Sequence, residues 1–237
     1  MKRIIFLSAL IFAVTMSAGF ASNQSDVKET RNVSGFTKVS FGIAGNLYIN
    51  IGPEFKVVLE GGKKYIDDVI TDVSGGKLVI KNENWKMNNW RMNEKVNVYI
   101  TMPELSGLGV SGSGKAEVKD AIKTSDLGLN VSGSGKIYIS EIAVSNLSCG
   151  ISGSGDIILS GSGSCSKADI SISGSGNYDG APLKIGTAEI HISGSGNCSC
   201  NVTESLKASV SGSGNVTYDG SPKIDAHVSG SGKVRSR

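Results

Sequence analysis

From Ser106 onward, apolar and polar residues alternate in short runs, and each run leads into the tetrapeptide Ser-Gly-Ser-Gly. The apolar residue just before it falls at Val110, Val131, Ile151, Ile172, Ile192, Val210 and Val228, with spacings of 21, 20, 21, 20, 18 and 18 residues. With that residue as position 0, position −2 holds Leu108, Leu129, Cys149, Ile170, Ile190, Ala208 and Ala226. Position +6 holds Ala116, Ile137, Ile157, Tyr178, Cys198, Val216 and Val234, and position +8 runs from Val118 and Ile139 to Cys200 and Tyr218. Alternation with period 2 marks a strand with one buried face. Recurrence at a near-constant period marks a repeat architecture. Each repeat therefore predicts a strand, a Gly-rich bend, a second strand and a variable connection. One such unit cannot bury its apolar face, whereas stacked units bury it against one another, with like positions roughly 4.8 Å apart. The predicted fold is all-β: a parallel β-solenoid of the β-helix kind.

The glycines change the picture only at the bend. There they supply positive φ and let successive backbones approach, and the intervening serine hydroxyls are expected to bond along the stack. A phosphate-cradling Gly loop occurs once, between a strand and a helix, which does not match a sevenfold recurrence. The pattern extends in degenerate form toward the N-terminus. Phe41 to Ile49 reads as a coil with Phe41 at 0, Leu47 at +6 and Ile49 at +8, and Val73 to Ile80 as another with Val73 at 0. Terminal repeats are commonly atypical because they cap the stack. Residues 33–105 are accordingly read as a divergent N-terminal head of the same β type, with a separate small β domain as the alternative. Residues 106–237 are the repeat solenoid.

The first residues read differently. Lys2 and Arg3 precede a short apolar run from Ile4 to Met16, followed by the small-x-small site Gly19-Phe20-Ala21. This is the pattern of a signal peptide spanning 1–21, with 22–32 expected as a flexible segment. The run is too short to favour a membrane span, and no Cys follows it to carry a lipid anchor. The expectation is an exported chain: periplasmic, cell-surface or secreted. The net charge of +3 falls to about +1 without Lys2 and Arg3, which argues against nucleic acid as a partner.

Candidate chemistry is sparse. Asp169 and Glu189 share position −3 in adjacent coils, about 5 Å apart on stacking, a separation that suits a retaining glycosidase pair. Lys207 and Asp225 follow at the same position, so the series also reads as a charge ladder. His191 lies between Ser171 and Ser209 at −1, with Glu189 two residues away and His227 one coil past Ser209. A Ser-His-acid relay can be drawn from these residues, but a flat flank offers no oxyanion hole. Cys149, Cys198 and Cys200 point inward, whereas Cys165 falls in a connection and is expected to be the most exposed. Buried free thiols are favoured over disulfides. The residue after each Ser-Gly-Ser-Gly is Asp only at Asp156, which excludes a recurring Ca²⁺ column. No metal or other cofactor is called for. The stretch from Asn82 to Lys95 holds both tryptophans. Trp85, Met87, Trp90, Arg91 and Met92 are the candidate contact residues for a ligand or partner, and the alternative is that the tryptophans cap the open end of the coil stack.

Val33 to Pro103 joined to these repeats resembles the auto-transporter adhesin family with a head GIN domain, known mostly from Bacteroidetes. The matching residues are Phe36-Thr37-Lys38-Val39, Gly45 to Ile49, Gly76 to Ile80, and Val98 to Leu105 running into Val110-Ser111-Gly112-Ser113-Gly114. The resemblance implies an extracytoplasmic β-rich protein with a surface or adhesion role and brings no catalytic residues. Composition, repeat and resemblance together favour a non-enzymatic binding protein whose partner is a glycan or a surface protein. The alternatives are an envelope-assembly component that binds protein partners and, third, a polysaccharide-active enzyme. Oligomeric state is not indicated.

Overall fold

The computed structural model describes residues 26–83 and 95–237. The head contributes β1 (Val27–Arg31), β2 (Lys38–Gly42), β3 (Gly45–Ile51), β4 (Lys56–Gly61), helix α1 (Lys63–Asp67), β5 (Val69–Ser74), β6 (Lys77–Asn82) and β7 (Val96–Met102). The repeats contribute β8 (Gly107–Gly112), β9 (Lys115–Val118), β10 (Ile122–Gly133), β11 (Lys136–Ile139), β12 (Ile142–Gly153) and β13 (Asp156–Leu159). They continue with β14 (Gly163–Gly174), β15 (Asn177–Gly194), β16 (Asn197–Gly212), β17 (Asn215–Asp219), β18 (Lys223–Gly230) and β19 (Lys233–Ser236).

Like positions of successive coils pair in parallel, and the molecule is the solenoid that the period predicts. Val110, Val131, Ile151, Ile172, Ile192 and Val210 lie in one register column and are 1–2% exposed. Phe41 pairs with Val110, Leu47 with Ala116 and Ile49 with Val118, so the first degenerate coil is a true coil joined directly to the repeats. The buried apolar residues of head and repeats form one continuous cluster. Each large side chain in it contributes about 1.5–3 kcal/mol by burial.

The second degenerate coil is not placed as expected. Gly75 and Gly76 both have positive φ, 56° and 71°, the requirement of a two-residue hairpin. They join β5 antiparallel to β6, with Val73 opposite Leu78. Ile80, not Val73, therefore occupies position 0, paired with Phe41. Strands β6 and β7 form the outermost coil at this end, and β2 and β3 lie between it and β8 and β9. Antiparallel β4 then covers β7, and β1 covers β4. Val27–Arg31, within the segment expected to be flexible, is thus a paired strand. Arg31 ties it down by donating to the carbonyls of Ile66 (2.9 Å) and Val69 (3.3 Å).

The connection between coils is also more regular than its variable length implies. Val144, Cys165, Ile185 and Val202 pair in register and face inward as a further apolar column. Cys165, expected to be exposed, is 3% exposed because β14 begins before it, at Gly163. All four cysteines are free and buried. At the bend, the stacking bonds run through the backbone rather than through the expected hydroxyls: the Ser154 N–H donates to Gly133 O at 2.8 Å, and the Ser175 N–H to Gly153 O at 2.8 Å.

Candidate binding face

Because positions −4, −2 and 0 point inward, positions −5, −3, −1 and +1 of the same strands form one outer sheet face. The −3 column reads Lys77, Lys38, Gly107, Gly128, Ser148, Asp169, Glu189, Lys207, Asp225. Its two glycines, with Gly109 at −1, floor a depression of about 850 Å³. Lys38, Lys77, Asp126, Asn146, Lys167 and Asp169 line its rim. Asn146 donates to Asp126 at 2.9 Å, which fixes one side of the rim.

The fold does not require glycine at two of the floor positions. A Cβ on Gly109 would find its nearest neighbour 3.9 Å away, and one on Gly128 would find its nearest at 4.0 Å. Glycine inside a strand costs about 0.5–1 kcal/mol relative to alanine, and neither site has the positive φ or backbone crowding that would offset this cost. What the glycines leave is a hollow. Next to it, a smaller trough of about 500 Å³ follows Asn130, Gly150, Ser171, His191 and Ser209 beside the +1 serines.

The carboxylate and histidine candidates lie on this face in the register expected of them: Asp169 opposite Glu189, and Ser171 and Ser209 on either side of His191. Glu189 accepts from Lys207 at 2.8 Å and contacts His191 Nε2 at 3.2 Å. The Lys207 hydrogen bond, followed by its charge and the His191 contact, holds the Glu189 carboxyl below the usual carboxylate range. Glu189 and Lys207 thus pair across adjacent coils as the charge-ladder reading has it.

The other long face carries a side-chain ladder at +5. Asn215 donates to Asn197 (3.0 Å), Asn197 to Asn177 (2.9 Å) and Asn177 to Asp156 (2.9 Å), and Lys136 meets Asp156 from the other side at 2.6 Å. At +7, Tyr48 and Tyr99 stack with centroids 5.2 Å apart. Trp85, Met87, Trp90, Arg91 and Met92 lie outside the described residues. Among the described residues, no three His, Cys, Asp or Glu side chains group as a metal site, and no helix is long and apolar enough to cross a membrane.

Sequence reasoning singled out the charges of the −3 column but not the hollow, whose only signal was glycine at outward positions 107, 109 and 128.

Several solved structures share this architecture. A structure of a putative adhesin from Bacteroides fragilis superposes with a TM-score of 0.81 at 24% identity, covering 90% of this chain and 98% of that one. A putative lipid binding protein from Parabacteroides distasonis gives 0.72 at 23% identity, covering 91% and 98%. A putative adhesin from Parabacteroides merdae gives 0.69 at 22% identity, covering 91% and 97%. No curated protein matches the chain. The family model for "putative auto-transporter adhesin, head GIN domain" matches residues 35–222. That span takes in β2, the hairpin, the hollow and nearly every coil, and the chain belongs to this head GIN adhesin family.

Proposed function

We propose that the protein is exported and acts as a non-enzymatic, adhesion-type binder that holds a glycan or a surface protein against the glycine-floored hollow. The carrying observation is glycine at 109 and 128, where the backbone has no need of it. Binding residues on a rigid sheet are held without loop ordering, which lowers the cost of association. The rim offers both signs of charge and amide groups around exposed backbone, a surface suited to a polar ligand. Family membership supports the adhesion class. The engagement of Glu189 by Lys207 supports binding over acid catalysis.

The test is a glycan and matrix-protein binding array, followed by the double variant Gly109→Gln/Gly128→Gln. These side chains enter open space and fill the hollow, so the melting temperature should hold or rise. Affinity for the array hit should fall by about tenfold or more, equivalent to about 1.4 kcal/mol. Trp85→Ala/Trp90→Ala is the companion variant. Loss of binding there, with binding retained in the glycine variant, would move the site to the 82–95 stretch and overturn this placement.

A further inference from the structure

The two ends of the solenoid are finished differently. At the head end, antiparallel β4, β1 and β5 lie beyond the outermost coil. At the other end, β18 pairs with β16 and β19 with β17, and among the described residues neither has a partner on its outer side. Ile224 and Val228 are 44% and 38% exposed, the large hydrophobic side chains left exposed among the described residues. In earlier coils the same columns are buried, as at Leu206 and Val210, each 1% exposed. An unpaired strand edge is a template for pairing with another chain, and the charges of this one, Lys223 and Asp225, lie on its outward face only. The inward positions 224, 226 and 228 carry no charge, and Pro222 lies just before the strand.

The sequence of β18 is Lys-Ile-Asp-Ala-His-Val-Ser-Gly, and it is self-complementary about Ala226. Antiparallel pairing of two copies with Ala226 on the two-fold sets Ile224 opposite Val228 twice on the inward face. It sets Asp225 opposite His227 twice on the outward face, and Lys223 opposite Ser229. No neighbouring centre does this. Centring on Asp225 places that carboxylate against its own copy and Lys223 against His227. Centring on His227 places the two imidazoles together. A centre between residues sets inward against outward side chains, which the pleat forbids. Cross-strand apolar and opposite-charge pairs stabilise antiparallel strands, and like charges opposed destabilise them. The match is isologous, as a closed dimer requires.

We propose that this end coil is a self-recognition surface, through which two copies of the chain join end to end by antiparallel pairing of β18 with β18 about Ala226. The dimer presents two outer faces on one elongated body, with the two heads at its far ends.

Sedimentation equilibrium of the purified protein tests this, with variants at exposed positions that leave the core intact. The wild type should sediment as a dimer. Ile224→Lys should weaken association by about tenfold or more. Asp225→Lys removes the carboxylate that would accept from His227 across the two-fold and should weaken it too, whereas Asp225→Lys/His227→Glu places an opposite-charge pair there and should restore the dimer. Ala226→Cys should give an intermolecular disulfide on mild oxidation, because it meets its own copy across the two-fold. The four native thiols are buried and should contribute no background. A monomer at every concentration overturns the proposal. So does a dimer indifferent to Ile224→Lys, or one that Ala226→Cys fails to cross-link.

Discussion

The phenol of Tyr178 occupies the space that a side chain at residue 180 would need: a Cβ on Gly180 would come within 2.6 Å of Tyr178 Cζ and 2.7 Å of its Cε1. The corresponding inward positions hold Ile157 and Leu159 in the preceding coil and Cys198 and Cys200 in the following one. One large ring beside an absent side chain replaces two medium ones, and two small thiols stack above it. Gly180→Ala should therefore destabilise the protein by about 1–3 kcal/mol, the usual cost of overpacking. Tyr178→Ile/Gly180→Leu restores the pattern of the preceding coil and should recover most of that loss. Urea denaturation of the single and double variants measures the coupling. Additive effects would show that the two residues do not share this volume.

Asp156 gives the solenoid an acid-sensitive joint. Burial pushes its carboxyl up, but the hydrogen bonds from Lys136 and Asn177 outweigh burial and bring it below the usual 3.8. The Lys136 ammonium is correspondingly raised by the same contact. A depressed carboxyl contributes stability that is fully present above its unfolded value and is lost as pH falls through its folded value. The melting temperature should therefore fall on acidification below the usual carboxyl range, and fall less steeply in Asp156→Asn. Equal slopes in the two proteins would exclude the joint.

The four thiols should not react with a water-soluble disulfide reagent until the protein is denatured. Burial raises the Cys149 and Cys165 thiols, and a hydrogen bond with Cys200 together with burial raises Cys198. The thiolate is the reactive species, so both exclusion from solvent and suppressed ionisation act in the same direction. Four equivalents should be released together in denaturant. Rapid labelling of Cys165 alone under native conditions would show that the column through Val144, Cys165, Ile185 and Val202 opens independently.

The strand columns at 0, −2, +6 and +8 were legible because alternation and period coincide there. The column through Val144, Cys165, Ile185 and Val202 was not, because the spacing varies between 18 and 21 residues. Counting from Ser-Gly-Ser-Gly loses register across that variation. The hairpin at Gly75-Gly76 was misread for a related reason: in a glycine-rich chain, two adjacent glycines resemble a worn Ser-Gly bend, although two positive φ values in succession reverse the strand and one turns a corner. The hollow was missed because glycine serves two ends here. At the bends it is required by backbone conformation. At 109 and 128 it is not, and only coordinates separate the two cases.

Gly153 and Gly112 occupy the same position of the bend and should respond differently to alanine. Both have positive φ, 113° and 81°, which costs an L residue about 1–2 kcal/mol. At Gly112 that is the whole penalty, since nothing lies within 4 Å of a Cβ built there. At Gly153 a Cβ would stand 2.6 Å from Gly133 O and 3.2 Å from Gly133 C. That carbonyl also accepts from the Ser154 N–H, so it cannot move without breaking a stacking bond. Gly153→Ala should accordingly cost more than Gly112→Ala, by about the 1–3 kcal/mol of an overpacked contact. Gly230→Ala meets the same obstruction, with Gly212 C at 3.0 Å, but it lies in the end coil. In a solenoid each coil contacts only its neighbours, so in the monomer, with Ile224→Lys as the background, an end coil can detach while the rest stays folded. The expected order of loss of global stability is Gly153→Ala above Gly112→Ala, with Gly230→Ala showing local loss of amide protection confined to β18 and β19. Hydrogen exchange read residue by residue distinguishes the two kinds of loss. Uniform destabilisation from Gly230→Ala would mean that the end coil is bound into the cooperative core rather than stacked on it.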